Sequence, residues 1–227
     1  MSLTLRKASV ADVASMADIY FSAFTIDAIS LLCFPRSNQA VYDWWFNMIT
    51  EELSDPQANH LVITAPSTTN PSQEEVIAWA LWNAPSPTPP STSTATTTDL
   101  PTWPAGCDVV LANHFFGNLV QRRKRIMDPR PYWYLEIIAT RPDWQGKGAA
   151  GKLLRWGLER ADQQGVEVYL EASPDGKPIY EHFGFEEVER LVVDLDGRDP
   201  CGTGEEEFVE VMMVRPARKM GEDSVSI

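Results

Sequence analysis

The chain has 227 residues, 44% hydrophobic and 10% aromatic, a composition that supports a packed core and argues against a disordered chain. Its 19 Lys and Arg stand against 32 Asp and Glu, a formal net charge of −13, which disfavours nucleic acid as a partner and suits a cationic amine as well as plain solubility. Cys33, Cys107 and Cys201 are widely spaced with no CxxC, so neither a disulfide framework nor a metal site is expected.

Residues 3–8 alternate apolar and polar side chains as a half-buried strand does. Ser9 reads as a helix N-cap with Asp12 three residues on, and Val13, Met16, Ala17, Ile19, Tyr20 and Phe24 follow at helical spacing. A second helix is predicted over residues 40–53, with Tyr42, Trp45, Ile49 and Leu53 inward. Asp43-Trp44-Trp45-Phe46 within it could line a pocket, although core packing is the favoured reading. Residues 60–65 and 75–82 read as strands joined by a polar loop. Residues 85–105 are almost wholly Pro, Ser and Thr and are read as a flexible insertion, with Leu100 and Trp103 its large apolar residues.

Residues 108–125 read as a helix with Val110, Leu111, Phe115, Leu119 and Ile126 inward. It ends in Arg122-Arg123-Lys124-Arg125, which could hold cofactor phosphates, but cations also suit a helix C-terminus without any ligand. Residues 132–140 form an aromatic and β-branched strand, 148–164 a helix, 166–171 a strand and 178–183 a short helix. Two strands, 187–194 and 207–214, follow, and residues 215–227 are expected to fray. With no internal repeat, residues 1–227 are expected to form a single domain. No apolar run reaches the ~20 residues of a membrane span, and residues 1–7 lack the apolar core of a secretory signal. The expectation is a cytoplasmic protein, with the nucleus left open, no membrane partner, and a monomer or homodimer.

Between the strand at 132–140 and the helix at 148–164 lies Gln145-Gly146-Lys147-Gly148-Ala149-Ala150-Gly151-Lys152-Leu153. Small residues there let the backbone approach a ligand, and unpaired N–H groups at the positive end of a helix favour an anion, typically a phosphate. Three patterns overlap. Gly146 to Lys152 spells G-x-x-x-x-G-K, but Leu153 stands where Ser or Thr should hold magnesium. Gly146, Gly148 and Gly151 spell G-x-G-x-x-G, with Glu171 placed as a ribose ligand, but Arg141 to Gln145 separate that turn from its strand. This NAD(P)-dependent oxidoreductase reading is an alternative. Gln145, Gly148 and Ala150 meet the third pattern, Q/R-x-x-G-x-G/A.

With these residues the sequence resembles the GNAT acetyltransferase superfamily. Ile138 to Gly148 is similar to that family's central strand and pyrophosphate loop, and Tyr180-Glu181-His182-Phe183-Gly184-Phe185 to its Y-x-x-x-G-F signature. The resemblance is strong over residues 132–185 and looser before them, and Tyr169-Leu170-Glu171-Ala172-Ser173-Pro174 is similar in wording to fungal-type members.

The resemblance implies an α/β (α+β) GNAT fold with a mixed, mostly antiparallel central sheet flanked by helices. It implies transfer of the acetyl group of acetyl-CoA to a primary amine of a small molecule or peptide, with no metal. The backbone at Gln145, Gly146, Lys147, Gly148, Ala149, Ala150 and Gly151 would hold the pyrophosphate of coenzyme A, and Ile138, Ala139 and Thr140 would pair with its pantetheine arm. Ser173 stands where the family often carries Asn. Tyr180 matches the position of the acid that protonates the leaving thiolate, a role a phenol of ordinary pKa ~10 can fill at neutral pH. Tyr134 and Glu136 lie two apart on one strand face. There the family carries its base or the residues that order a water relay, with Glu136 the first choice and Tyr134 the second. A non-catalytic acyl-CoA-binding module is the further alternative, although Tyr180 and a strand acid are both present.

Overall fold

The computed structural model describes residues 2–67, 73–85 and 100–218. Strand β1 (Thr4–Lys7) leads through a 3-10 turn (Val10–Asp12) into α1 (Val13–Ala23), α2 (Ala28–Cys33) and α3 (Gln39–Glu52). The antiparallel pair β2 (Ala58–Pro66) and β3 (Glu74–Asn83) comes next, then α4 (Val109–Met127) and β4 (Tyr132–Thr140). A 3-10 turn (Pro142–Trp144), α5 (Ala149–Gln164), β5 (Glu167–Ala172), α6 (Lys177–His182), β6 (Glu186–Asp194) and β7 (Glu207–Arg215) complete the described elements.

The seven strands form one sheet in the order β1-β2-β3-β4-β5-β7-β6. All neighbours are antiparallel except β4 and β5, which run parallel with α5 as their crossover, because a parallel connection needs a long return. Strand alternation divides the core into two layers. Tyr169 and Met212 pack under α1 to α4, whereas Val168, Leu170 and Met213 pack against α5. Helix α5 comes very close to the sheet at Gly157, where a Cβ would lie 2.4 Å from the Trp82 indole, and the Trp82 Nε1–H donates to the Leu153 carbonyl at 3.1 Å. No helix among the described residues is long and apolar enough to cross a membrane.

Several sequence expectations change. Helix α2 was not anticipated: six residues are too few to show a period, and Asp27 starts it by accepting the Ser30 N–H at 2.6 Å. Val110, expected inward, is 82% exposed, because the stripe that faces the core is Leu111, Phe115 and Leu119 at four-residue spacing.

Of the expected insertion, residues 86–99 lie outside the described residues. Residues 100–105 pack: the Trp103 ring centroid is 5.1 Å from that of Phe116, Trp44 Nε1–H donates to the Thr102 carbonyl at 2.8 Å, and Asn38 donates to the Ala105 carbonyl at 2.6 Å. Trp103, read from sequence as an exception within a Pro/Ser/Thr run, anchors that end. The tail also begins later than expected, since Arg215 is buried and forms a bidentate pair with Asp162 at 2.7 and 2.9 Å.

Candidate active site

Strands β4 and β5 are paired from Tyr132 opposite Glu167 to Leu135 opposite Leu170, and their pairing stops there although both strands continue. On the other side of β4, Leu135 pairs with Trp82 and Ile137 with Leu81, so Glu136 is an extra residue, a bulge. The bulge lies where the two parallel strands part. Ile138, Ala139 and Thr140 pair with β3 on one edge and with nothing from β5 on the other.

A cavity of about 380 Å³ lies against this opening, and Tyr134, Glu136, Ser173 and Tyr180 all line it. Three residues named from sequence as candidate catalytic groups thus share one space. Glu136 is exposed and accepts a hydrogen bond from Asn83 Nδ2 at 2.7 Å. Tyr134 lies beneath the Arg123 guanidinium, 4.1 Å from ring centroid to cation, and burial holds its hydroxyl well above the usual phenol range despite that cation. The Tyr180 ring packs edge-on to Phe185, 5.9 Å between centroids, and so close to Gly176 that a Cβ there would lie 3.2 Å from it. Burial, and then the nearby Glu210 carboxylate, raises the Tyr180 hydroxyl above its ordinary value, so it keeps its proton. Ser173 Oγ accepts the Gly176 N–H at 3.3 Å.

Gly146 (φ 72°) and Gly148 (φ 87°) adopt left-handed backbone, and a Cβ on either would meet nothing within 4 Å. Backbone angle rather than crowding therefore calls for glycine there. Gly148 caps α5 without a side chain, which leaves the first-turn N–H groups of a 16-residue helix uncovered by a capping side chain. The turn is braced from outside: Gln145 Nε2 donates to the Thr140 carbonyl at 3.3 Å, and Lys147 Nζ donates to the Asp143 carbonyl at 2.7 Å while lying 4.8 Å over the buried Trp144 ring.

Other groups in the cavity were not anticipated. Glu171, weighed from sequence as a ribose ligand, has a side chain 6% exposed and lies 3.8 Å from Arg123. Burial raises its carboxyl, opposed by Arg123 and by the Tyr134 and Tyr169 hydroxyls. Within the four-cation cluster, Arg122 and Arg125 pair with Glu189 on β6 while Arg123 turns into the cavity. The signal was present in the helical phase, because Arg123 continues the inward stripe of Leu111, Phe115 and Leu119. Asp27 and Glu210 also reach the cavity. Glu210 shares a strand face with Phe208 and Met212, a carboxylate at an inward position of an apolar strand.

Residues 113–195 match the family model described as Acetyltransferase (GNAT) domain. A curated relative, an uncharacterised N-acetyltransferase of Schizosaccharomyces pombe, is 44% identical over 54 residues, 23% of this chain and 22% of the relative. Among solved structures, a protein described as histone acetyltransferase HPA2 and related acetyltransferase from Corynebacterium glutamicum superposes with a TM-score of 0.61 at 22% identity, covering 96% of this chain and 98% of its own. A mosquito arylalkylamine N-acetyltransferase-like protein gives 0.60 at 16% identity over 94% and 99% of the two chains. A Drosophila melanogaster polyamine N-acetyltransferase gives 0.61 at 10% over the same shares. At these identities the structural likeness concerns the fold. The seven-stranded, mostly antiparallel sheet with the glycine turn at the head of α5 is the fold of these GNAT neighbours, and the match to the GNAT family model over residues 113–195 supports membership of the GNAT acetyltransferase superfamily.

Proposed function

We propose that the protein is an N-acyltransferase that moves the acetyl group of acetyl-CoA onto a primary amine of a small molecule or peptide. The observation that carries this reading is the parting of β4 from β5 onto a cavity lined by Tyr134, Glu136 and Tyr180, in a chain whose left-handed glycine turn follows β4 and heads α5.

Backbone N–H groups from Gln145 to Gly151 would hold the pyrophosphate at the positive end of α5. The free edge of Ile138, Ala139 and Thr140 would accept the pantetheine arm as an added strand. Ser173, whose oxygen already accepts from Gly176, keeps its hydroxyl hydrogen to donate to that arm. Glu136 first, and Tyr134 second, would receive the amine's proton, directly or through water. The amine nitrogen then bonds to the thioester carbonyl carbon, the carbon–sulfur bond breaks, and the Tyr180 hydroxyl protonates the departing thiolate.

The test is thermal shift with acetyl-CoA and with NADPH, together with thiol release against a panel of amines. Acetyl-CoA should raise the melting temperature by mass action, and Gly148→Asp, which puts a carboxylate at the phosphate position, should abolish that rise. A rise with NADPH and none with acetyl-CoA would favour the oxidoreductase reading. A rise with acetyl-CoA and no thiol release with any amine would favour a binding module.

A further inference from the structure

Glu210 has no part in the acyl-transfer chemistry proposed above. It is 9% exposed in the middle of β7, with the apolar side chains of Phe208 and Met212 on the same face. Among the described residues no hydrogen-bond donor or cation pairs with its carboxylate. The titratable groups that act on it are themselves acids: Asp27 from the start of α2 and Glu171 from β5. Both have partners, Asp27 in the Ser30 N–H and Glu171 in Arg123. Burial and these two acids raise the Glu210 carboxyl well above its usual range. A buried carboxylate without a counter-charge is costly, so a cation carried by a ligand would be drawn to this group.

Its position is specific. The β5–β7 register ends with Ala172 opposite Val211, which sets Glu210 beside Ser173, and it lies near enough to Tyr180 to raise that hydroxyl. A cation at Glu210 would therefore be next to the group proposed to protonate the leaving thiolate. Much of the remaining cavity wall is aromatic. Phe34 stacks on Trp44 at 5.6 Å, Trp45 stacks on Tyr20 at 3.8 Å, and Trp103 meets Phe116 at 5.1 Å. Such walls bury a planar apolar body and attract a cation to their ring faces.

We infer that Glu210 is the residue that holds the ammonium group of the acceptor, and that the acceptor is a primary amine on an aromatic body packed against Phe34, Trp44, Trp103 and Phe116. The inference rests on the acyltransferase reading for the fate of the amine but not for its binding. The pairing of the ammonium with the Glu210 carboxylate places the nitrogen at the end of β5, beside Ser173 in the cavity wall.

Binding is therefore measured in the absence of acyl donor, by calorimetry, with 2-phenylethylamine, its neutral analogue 2-phenylethanol, and spermidine as a cation without a ring. The wild type should bind 2-phenylethylamine more tightly than either of the others. Glu210→Gln should weaken 2-phenylethylamine about tenfold or more, the usual scale for losing a charged partner, and leave 2-phenylethanol within about twofold. Glu210→Asp, which keeps the charge, should retain preference for the amine over the alcohol even if the affinity drops. The acetyl-CoA thermal shift should be unchanged in both variants. A folded Glu210→Gln that binds 2-phenylethylamine within about twofold of wild type overturns the assignment of Glu210. Tighter binding of spermidine than of 2-phenylethylamine overturns the aromatic class. A Glu210-dependent amine site in a protein that acetyl-CoA does not stabilise would leave this inference standing and overturn the acyltransferase reading instead.

Discussion

The guanidinium of Arg123 and the carboxylate of Glu171 face each other at 3.8 Å inside the cavity wall, one from α4 and the other from β5. Neither can lose the other cheaply. Removing the cation leaves Glu171 buried beside Glu210 and Glu136, and breaking a buried pair from one side typically costs ~3–5 kcal/mol. Arg123→Met should therefore lower unfolding stability by an amount in that range in urea melts. Arg123→Met combined with Glu171→Leu should recover much of the loss, because no uncompensated charge remains. A single variant within ~1 kcal/mol of wild type would show that the pair is hydrated and that the wall is not dry.

Helix α5 depends on the absence of a side chain at Gly157. Alanine would ordinarily strengthen a helix by ~1 kcal/mol over glycine. Here its Cβ would lie 2.4 Å from the Trp82 ring, which is fully buried and cannot retreat. Overpacking of this kind costs ~1–3 kcal/mol. Gly157→Ala should thus be destabilising on balance, and much less so in a Trp82→Phe background, where the smaller ring makes room. Equal effects in the two backgrounds, measured by denaturant titration, would mean the clash is not the cause.

The first turn of the chain carries a pH-dependent clamp. Asp12 accepts both terminal nitrogens of Arg6, at 2.8 and 2.7 Å, and the Ser9 N–H and Oγ–H at 2.8 and 2.9 Å. The Arg6 hydrogen bonds, followed by those from Ser9, lower its carboxyl from 3.8 to about 2. A depressed carboxyl contributes stability that is fully present above the unfolded value and is lost as pH falls through the folded one. The window is therefore from about pH 4 down to about pH 2. Linkage alone would give ~2.4 kcal/mol, and screening of the 42%-exposed Arg6 side chain reduces that to roughly 1 kcal/mol. Asp12→Asn should cost that much at neutral pH, and the gap to wild type should close across the same acid window in pH-jump melts. A constant gap would place the effect in packing rather than charge.

Local patterns made much of the fold legible. Strand β4, helix α5 and the turn between them are written in alternation, helical spacing and three glycines, all read within twenty residues or so of sequence. The shared wall position of Tyr134 and Glu136 followed from strand periodicity, yet the bulge that places Glu136 at the parting of the strands is set by its pairing with β3, which no local pattern encodes. Asp27, Arg123 and Glu210 come from α2, α4 and β7, elements that meet only in the folded chain. Arg123 was one cation among four until helical phase selected it, and Glu210 differed from other strand carboxylates only in its parity with Phe208 and Met212. Helix α2 was too short for any period, and Trp103 was masked by the composition around it.

Tyr180 offers a direct test of the catalytic proposal. Its hydroxyl is raised above the ordinary phenol range by burial and then by Glu210, so it is protonated at any working pH and suited to donate to a thiolate rather than to act as a base. Tyr180→Phe keeps the ring, its edge contact with Phe185 and its packing on Gly176, and removes the hydroxyl alone. Stability and the acetyl-CoA thermal shift should therefore match wild type. Turnover should fall by about 10²–10⁴-fold, the usual range for losing a general acid, with little change in KM, because the contact is made in the transition state rather than with bound substrate. Glu136→Gln provides the contrast: it should depress turnover most at low pH, where the amine is hardest to deprotonate, whereas the Tyr180→Phe deficit should be nearly independent of pH through the neutral range. If Tyr180→Phe keeps more than about half of wild-type turnover, the thiolate takes its proton from water or another group. The glycine turn and the parted strands would still argue for the cofactor, and Tyr134, held under Arg123 in the same wall, would be the next hydroxyl to remove.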